Sequence, residues 1–423
     1  MKRLLIISQT YPPDPAAVGQ HIADVASRMA SRGWRVTVFT SRRGYDDARQ
    51  RYPWRELRDG VDIRRLPFSS LGKSTIAIRL LAQAVFIVQA LCRGILQRGI
   101  SVVLVSTSPP FAGIAGCLFK LVRGWQFVWW VMDINPDQLV ASGKARPSSP
   151  LVRFFDWMNR RTLNAATRVI ALDRYMAARL LAKADVRRKM AIVPPWSHDS
   201  VQEDISHDDN PFRSNHKLKD AFVVMYSGNH GYSPLDTVLA AAHELRSDKR
   251  IKFMFIGGGV GKVAIDDLVR RESPPNIISL PYQPLSDLRY SLSSADVHVV
   301  SLADHGVGIV HPCKIYGALA VGRPIIALGP RKSYVGDILA ARRVGWLIEH
   351  GEVVKLVSLI RELASMAPGM LKDYGIKARE AASIDFSRER LVEQVCVILE
   401  HAASTPKHRG SRVVHPGGIA ASR

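Results

Sequence analysis

Short, nearly uninterrupted apolar runs recur along this chain, each followed by a stretch with helical spacing. The first is Lys-Arg-Leu-Leu-Ile-Ile-Ser over residues 2–8. A proline-rich loop follows over 10–15, then Gly19 and a helix expected to reach Arg32. Gly33 stops that helix, since glycine takes the left-handed conformation that closes a last turn. Residues 35–40, Arg-Val-Thr-Val-Phe-Thr, form the next strand. Strands this apolar fit a parallel sheet covered on both faces, which makes the segment a β-α-β unit. Runs at 61–66, 102–106, 126–132, 168–172 and 191–193 repeat the alternation. The pattern predicts a doubly wound α/β domain.

Pro194-Pro195-Trp196 and the polar run 200–219 interrupt the pattern, and the alternation then begins again. Strands are expected at 222–226, 251–256, 277–280, 297–301, 324–328 and 345–348, with a first helix over 233–245. A long helix over 387–403 is expected to close this second set. The predicted organisation is a Rossmann-like N-terminal domain (1–198), a linker (199–219), a second Rossmann-like domain (220–385), a C-terminal helix (386–403) and a disordered basic tail (404–423). Ligands of such sheets sit at the carboxyl ends of the strands, so two facing domains place the site in the cleft between them.

Charge narrows the partners. Lys and Arg number 59 against 37 Asp and Glu, a formal net charge of +22. Apolar residues make up 47%, too many for a chain that stays disordered for want of a core. The four cysteines, Cys92, Cys117, Cys313 and Cys396, have neither CxxC nor zinc spacing. That excludes a disulfide scaffold and suits a reducing compartment. The apolar run after Met1-Lys2-Arg3 is too short for an export signal, so a cytoplasmic location is expected. A chain this basic meets nucleic acid, an anionic membrane or phosphorylated small molecules. Nucleic acid is set aside, because no aromatic-basic RNA signature, finger spacing or basic heptad is present. Residues 74–98 form an apolar helical stretch edged by Arg79, Arg93 and Arg98 and interrupted by Gln83 and Gln89, a poor membrane span. It can lie in the interface with its arginines on anionic headgroups, or simply cover its own sheet. Trp125, Trp129 and Trp130, on or beside a strand, read as core rather than as a sugar platform.

The most informative stretch is 305–330, HGVGIVHPCKIYGALAVGRPIIALGP. Gly306 and Gly308 make a turn, His311-Pro312 follows, and Lys314 begins a helix that Gly322 ends. A glycine turn running into a helix start exposes backbone N–H groups at the positive end of the dipole, and Lys314 adds a full charge there. This is the pattern of a phosphate or diphosphate cradle; an ordinary loop–helix–strand unit with a solvated lysine has the same sequence. Asp133 ends the apolar run 127–132, so its carboxylate is expected at the cleft or capping the next turn. Gly257-Gly258-Gly259-Val260-Gly261-Lys262 lacks the Walker spacing and reads as a close-approach turn.

These residues resemble the GT-B glycosyltransferases of family 4, in the branch that builds bacterial surface polysaccharides of the colanic-acid and O-antigen type. That branch carries a Pro-Ser-Lys-x-Tyr element, matched by Pro312-Cys313-Lys314-Ile315-Tyr316, then an Ala-x-x-Gly-x-Pro run, matched near Gly322-Arg323-Pro324. The likeness spans about residues 1–400. It takes in Tyr11-Pro12-Pro13 with Gly19, the 132–137 segment around Asp133 and the 226–230 segment Tyr-Ser-Gly-Asn-His. It also takes in 255–259 and the 280–284 segment around Tyr282. The family's two glutamates are absent: Gly317 stands for the second, Ile309 falls at the first, and Asp304 is the nearest acid. The Arg/Lys pair that often holds the diphosphate falls near Asn229 and Ser233, neither of them cationic.

The resemblance implies a GT-B fold and a retaining, metal-free transfer of a hexosyl or N-acetylhexosaminyl group, with no cofactor. The donor is expected to be a UDP-linked sugar and the acceptor a polyprenyl-diphosphate-linked or growing polysaccharide at the cytoplasmic membrane face. Donor contacts are expected from Gly228, Asn229, Gly257, Gly258, Lys262, Tyr282, Gly308, Lys314 and Tyr316, with Arg323 a further candidate cation. Gly19, Asp133, His230 and His311 are expected to meet the sugars, with Asp133 and Lys314 carrying the chemistry. A nucleotide-sugar 2-epimerase shares this architecture, and Gly317 equally suits a non-catalytic assembly protein.

Overall fold

The computed structural model describes residues 1–14, 16–44, 49–68, 76–197, 205–231 and 234–406. Two open sheets carry the chain. The first contains β1 (Arg3–Ile7), β2 (Arg35–Ser41), β3 (Arg55–Arg58), β4 (Val61–Leu66), β5 (Val102–Ser106), β6 (Gln126–Trp130), β7 (Arg168–Ala171) and β8 (Met190–Ile192). Their spatial order is β3-β4-β2-β1-β5-β6-β7-β8, parallel except for β3 against β4. The second sheet contains β9 (Phe222–Asn229), β10 (Ile251–Gly258), β11 (Ile277–Leu280), β12 (Val297–Ser301), β13 (Ile325–Leu328) and β14 (Gly345–Ile348). It is wholly parallel in the order β11-β10-β9-β12-β13-β14.

Each order reverses once, between β1 and β5 in the first sheet and between β9 and β12 in the second. Loops on either side of such a reversal splay apart and leave a crevice. The central strands are buried along their length, as Leu4 to Ile7 and Val102 to Val105 show, because helices cover both faces. Trp125, Trp129 and Trp130 are buried in that core. Gly33 takes φ +81° after the Ala17–Ser31 helix, as its place required.

Several boundaries differ from expectation. β9 and β10 run on to Asn229 and Gly258, and the helix after β9 is Asp236–Glu244. β3 had no apolar signal to announce it. Ser233, expected opposite the diphosphate, lies outside the described residues, as do residues 198–204 of the linker region and 407–423 of the tail. The long C-terminal helix, Arg388–Ser404, does not close the second domain. Leu391, Val395, Cys396 and Leu399 join the N-terminal core, and Arg32 pairs with Glu393 and, at 3.0 Å, with Glu400. The chain thus crosses back and straps the two domains together.

The carboxyl ends of the two sheets face each other and touch. Ile134 N donates to Ile309 O at 3.0 Å, and Arg179 Nε donates to Val307 O at 2.6 Å. Arg174 pairs with Asp337 at 2.6 Å.

Candidate active site at the interdomain cleft

At the β9–β12 crevice the loops are built by backbone proximity. A Cβ on Gly257 would lie 2.0 Å from the Gly228 carbonyl oxygen, and one on Gly258 would lie 2.8 Å from the Tyr282 ring. His230 N donates to Gly258 O at 2.7 Å, and Gly261 N donates to His230 O at 2.8 Å. Glycine is the residue that permits this approach, so the two strand ends interlock as one surface.

Lys314 opens the Lys314–Ala320 helix opposite them. Its Nζ donates to Asn229 O at 2.8 Å and stands 4.9 Å from the centre of the Tyr226 ring. A Cβ on Gly228 would touch Lys314 Cε at 3.0 Å, so the lysine stem lies flat on that glycine. An ammonium has three donors, and the Asn229 carbonyl takes one, which leaves two for an anion. Gly308 takes φ +71° and packs on Tyr175 of the N-terminal domain.

His230 is 1% exposed, with Nδ1 donating to Gly228 O at 2.8 Å and its ring edge-on to Tyr226. Its Nε2 is buried and has no hydrogen-bond partner among the described residues. Burial, followed by the nearby Lys314 charge, pushes its pKa down to about 4, so the ring is neutral. Nε2 is then a bare acceptor beside the lysine.

Asp133 follows β6 and sits at the domain junction. Thr107 Oγ1 accepts from its main-chain N at 3.2 Å, and its carboxyl faces a small cavity with Trp129, Asn135 and Asn159. Desolvation raises its pKa to about 6. The half-buried Cys313 thiol is pushed up to about 12 by desolvation, with Asp133 and Lys314 acting on it in opposite senses.

The other expected residues are placed differently. Lys262 is buried with Nζ 2.5 Å from Asp266 Oδ1, which also accepts from Ser279 Oγ at 2.6 Å. Arg323 donates to Ser293 O and Ile205 O, away from the crevice. Gly19 packs beneath its own proline loop, where a Cβ would lie 2.9 Å from Thr10 and Tyr11 backbone. Tyr316 is buried with its hydroxyl 2.7 Å from His311 Nε2, and Gly317 lies beside Leu292. Sequence reasoning missed Asp173 and Thr107, and gave Tyr226, quoted within the 226–230 segment, no role of its own. Asp173 is an N-cap, with Oδ1 accepting from Met176 N at 2.8 Å, and an Asp before a helical run is the signal that marks one. Among the described residues no group of three His, Cys, Asp or Glu side chains is placed to hold a metal ion.

Two doubly wound domains facing across a cleft define a GT-B fold. The N-terminal half matches the glycosyl transferase 4-like domain over residues 16–196, and the C-terminal half matches the glycosyl transferases group 1 domain over 221–366. The chain belongs to the glycosyltransferases that pair these two domains. It is 25% identical over 314 residues to WbjE of Pseudomonas aeruginosa, named a probable glycosyltransferase, covering 72% of this chain and 77% of that one. It is 23% identical over 408 residues to WcaI of Escherichia coli K12, named for glycosyl transfer in colanic acid biosynthesis, covering 93% and 98%. Among solved structures, Anabaena HepE in complex with UDP and glucose shares the fold at a TM-score of 0.69 and 14% identity, covering 95% of this chain and all of that one.

Proposed function

We propose that the chain is a retaining transferase that moves a sugar from a UDP-linked donor to a lipid-linked or growing surface polysaccharide. The observation that carries this reading is Lys314, the first residue of its helix, held at the β9–β12 crevice with donors to spare. The WcaI likeness supports the polysaccharide role, the WbjE likeness supports glycosyl transfer, and the HepE complex supports a UDP-linked donor.

In the transfer, the bond between the anomeric carbon and the diphosphate oxygen breaks while the acceptor hydroxyl bonds to the same face. The hydroxyl proton passes to the departing diphosphate. Negative charge grows on that group, and Lys314 with nearby backbone N–H groups stabilises it more than the ground state. Gly228, Asn229, Gly257 and Gly258 let the nucleotide lie close, Tyr282 borders Gly258, and His230 Nε2 accepts from a donor hydroxyl. Asp133 orients the sugars at the junction.

The acceptor's membrane has a matching face. The helices Ile76–Ile95, Gly113–Arg123 and Pro150–Ala165 lie side by side, joined by contacts such as Cys117 to Thr162. They expose Leu81 and Val88, then Leu118, Leu121 and Val122, then Leu151, Phe154 and Trp157. Arg123 lies over Trp125, and Arg161 lies over Trp157 at 5.3 Å. Leucines and a tryptophan among arginines suit shallow insertion into an anionic leaflet. No helix among the described residues is long and apolar enough to cross a membrane.

Calorimetric and thermal-shift titration with UDP, GDP, ADP and TDP, with and without Mg2+, tests the donor reading. UDP at 100 times its Kd raises stability by about 2.7 kcal/mol. A shift by UDP that disappears in Lys314→Ala is the expected result; no shift by any nucleoside diphosphate overturns the proposal.

A further inference from the structure

We propose that Asp173, His311 and Tyr316 form a buried pin across the cleft that sets where the Lys314 helix stands relative to the N-terminal domain, which makes His311 a positioning residue for transfer. The inference rests on the donor reading of Lys314. His311 Nδ1 lies 2.8 Å from Asp173 Oδ2, and its Nε2 lies 2.7 Å from the Tyr316 hydroxyl. The His311 and Asp173 side chains are 1% and 3% exposed. A carboxylate only accepts, so Nδ1 carries the hydrogen on that side. Both ring nitrogens are thus bonded within the protein, and neither is left for a sugar.

Each end of the pin is anchored in a different domain. The other oxygen of Asp173 caps the Arg174–Lys183 helix of the N-terminal domain. Tyr316 lies in the first turn of the Lys314–Ala320 helix and packs edge-on against Phe386, where the chain turns back toward the N-terminal core. His311 precedes Lys314 by three residues, and its ring also packs against Tyr334 at 4.7 Å. The Ile134–Ile309 and Arg179–Val307 bonds flank it. A buried, charge-assisted chain is directional, so it fixes an angle between domains where apolar contact would let them slide.

Two variants separate this from a sugar contact while sparing the fold. Asp173→Asn keeps an oxygen to cap Met176 N and replaces the carboxylate's charge-assisted bond to His311 by a weaker neutral one. Tyr316→Phe keeps the ring and removes the hydroxyl's bonds to His311 and Tyr334. On the full chain, small-angle scattering should show a larger radius of gyration for both variants. The Kd for UDP should stay within 3-fold of wild type, while kcat for UDP release from UDP-glucose falls at least 10-fold. His311→Gln, which keeps a donor and an acceptor, should retain more of the kcat than His311→Ala, which keeps neither. An unchanged radius with an unchanged kcat overturns the pin, as does an unchanged radius with UDP affinity lost more than 10-fold. A wild-type protein that binds no UDP refutes the donor reading instead, and the scattering comparison then decides the pin by itself.

Discussion

Lys314 Nζ and the Asn229 carbonyl oxygen meet at 2.8 Å, joining the start of a helix to the end of the strand across the crevice. A carbonyl dipole beside the ammonium keeps the charge in place while no anion is bound. Replacing that partner by a diphosphate oxygen gives a charge-assisted bond, which contributes about 1.5–3 kcal/mol. Lys314→Ala should therefore weaken UDP binding by about 10- to 150-fold, read by titration calorimetry at fixed salt. Lys314→Arg should recover only part of this, because the forked guanidinium does not fit the path over Gly228. An unchanged Kd in the alanine variant would remove Lys314 from the donor site.

Gly257 is the tightest point of the same surface. It combines φ +132° with a hypothetical Cβ only 2.0 Å from the Gly228 carbonyl oxygen. Gly257→Ala must push two strand ends apart and should cost more than about 2 kcal/mol in urea unfolding. Gly351 also has positive φ, at +88°, with nothing within 4 Å of a Cβ. Gly351→Ala should cost only about 1 kcal/mol, the backbone penalty alone. Equal losses at the two sites would show that crowding at 257 is relieved elsewhere.

The fold was legible where one element decides its own burial. Strands such as β1 and β5 are apolar on both faces because helices cover both, and that pattern needs no knowledge of distant residues. β3 was invisible for the converse reason: Arg-Glu-Leu-Arg is a short, exposed edge strand with no period to detect. The amphipathic Arg388–Ser404 helix announced an apolar face, but not that Arg32, more than 350 residues earlier, would meet it. In the site, Lys314 was marked by the helix start it occupies. Lys262, offered only by the resemblance, has its charge taken by Asp266 one turn later, a pairing that spacing permits without requiring. His311 looked like a cleft ligand because its partner Asp173 lies 138 residues away.

Asp133 makes stability depend on pH in the direction opposite to a paired carboxylate. Burial raises its pKa from 3.8 to about 6, so between those values the folded chain binds more protons than the unfolded one. Stability then falls as pH rises from 4 to 6, and stays reduced above, by at most about 3 kcal/mol. Asp133→Asn removes the charge and should be more stable than wild type at pH 7.5 by about 2 kcal/mol, with the gap closing near pH 4. Urea midpoints across this range give the comparison. A gap that does not change with pH would mean that the carboxyl is solvated in the folded protein. The same variant should lose transfer activity if the carboxyl orients the sugars.

The apolar face of the N-terminal domain leads to the last expectation. Leu121 is 81% exposed and Trp157 is 48% exposed on neighbouring helices, with Arg161 over the Trp157 ring and Arg123 two residues after Leu121. An exposed leucine alone is ordinary; three helices showing such residues on one side, among cations, are not. Contact with an anionic leaflet gains about 1 kcal/mol for each arginine near the surface, and the gain is screened by salt. Vesicles containing phosphatidylglycerol should therefore co-float the protein at low salt, and pure phosphatidylcholine vesicles should do so far less. Leu121→Ser with Trp157→Ser should release it from both without changing UDP affinity, since these helices lie on the N-terminal domain, away from the β9–β12 crevice. Binding that is equal on neutral and anionic vesicles and indifferent to salt would leave insertion without the arginines. Flotation unaffected by the double variant would mean that another surface meets the membrane.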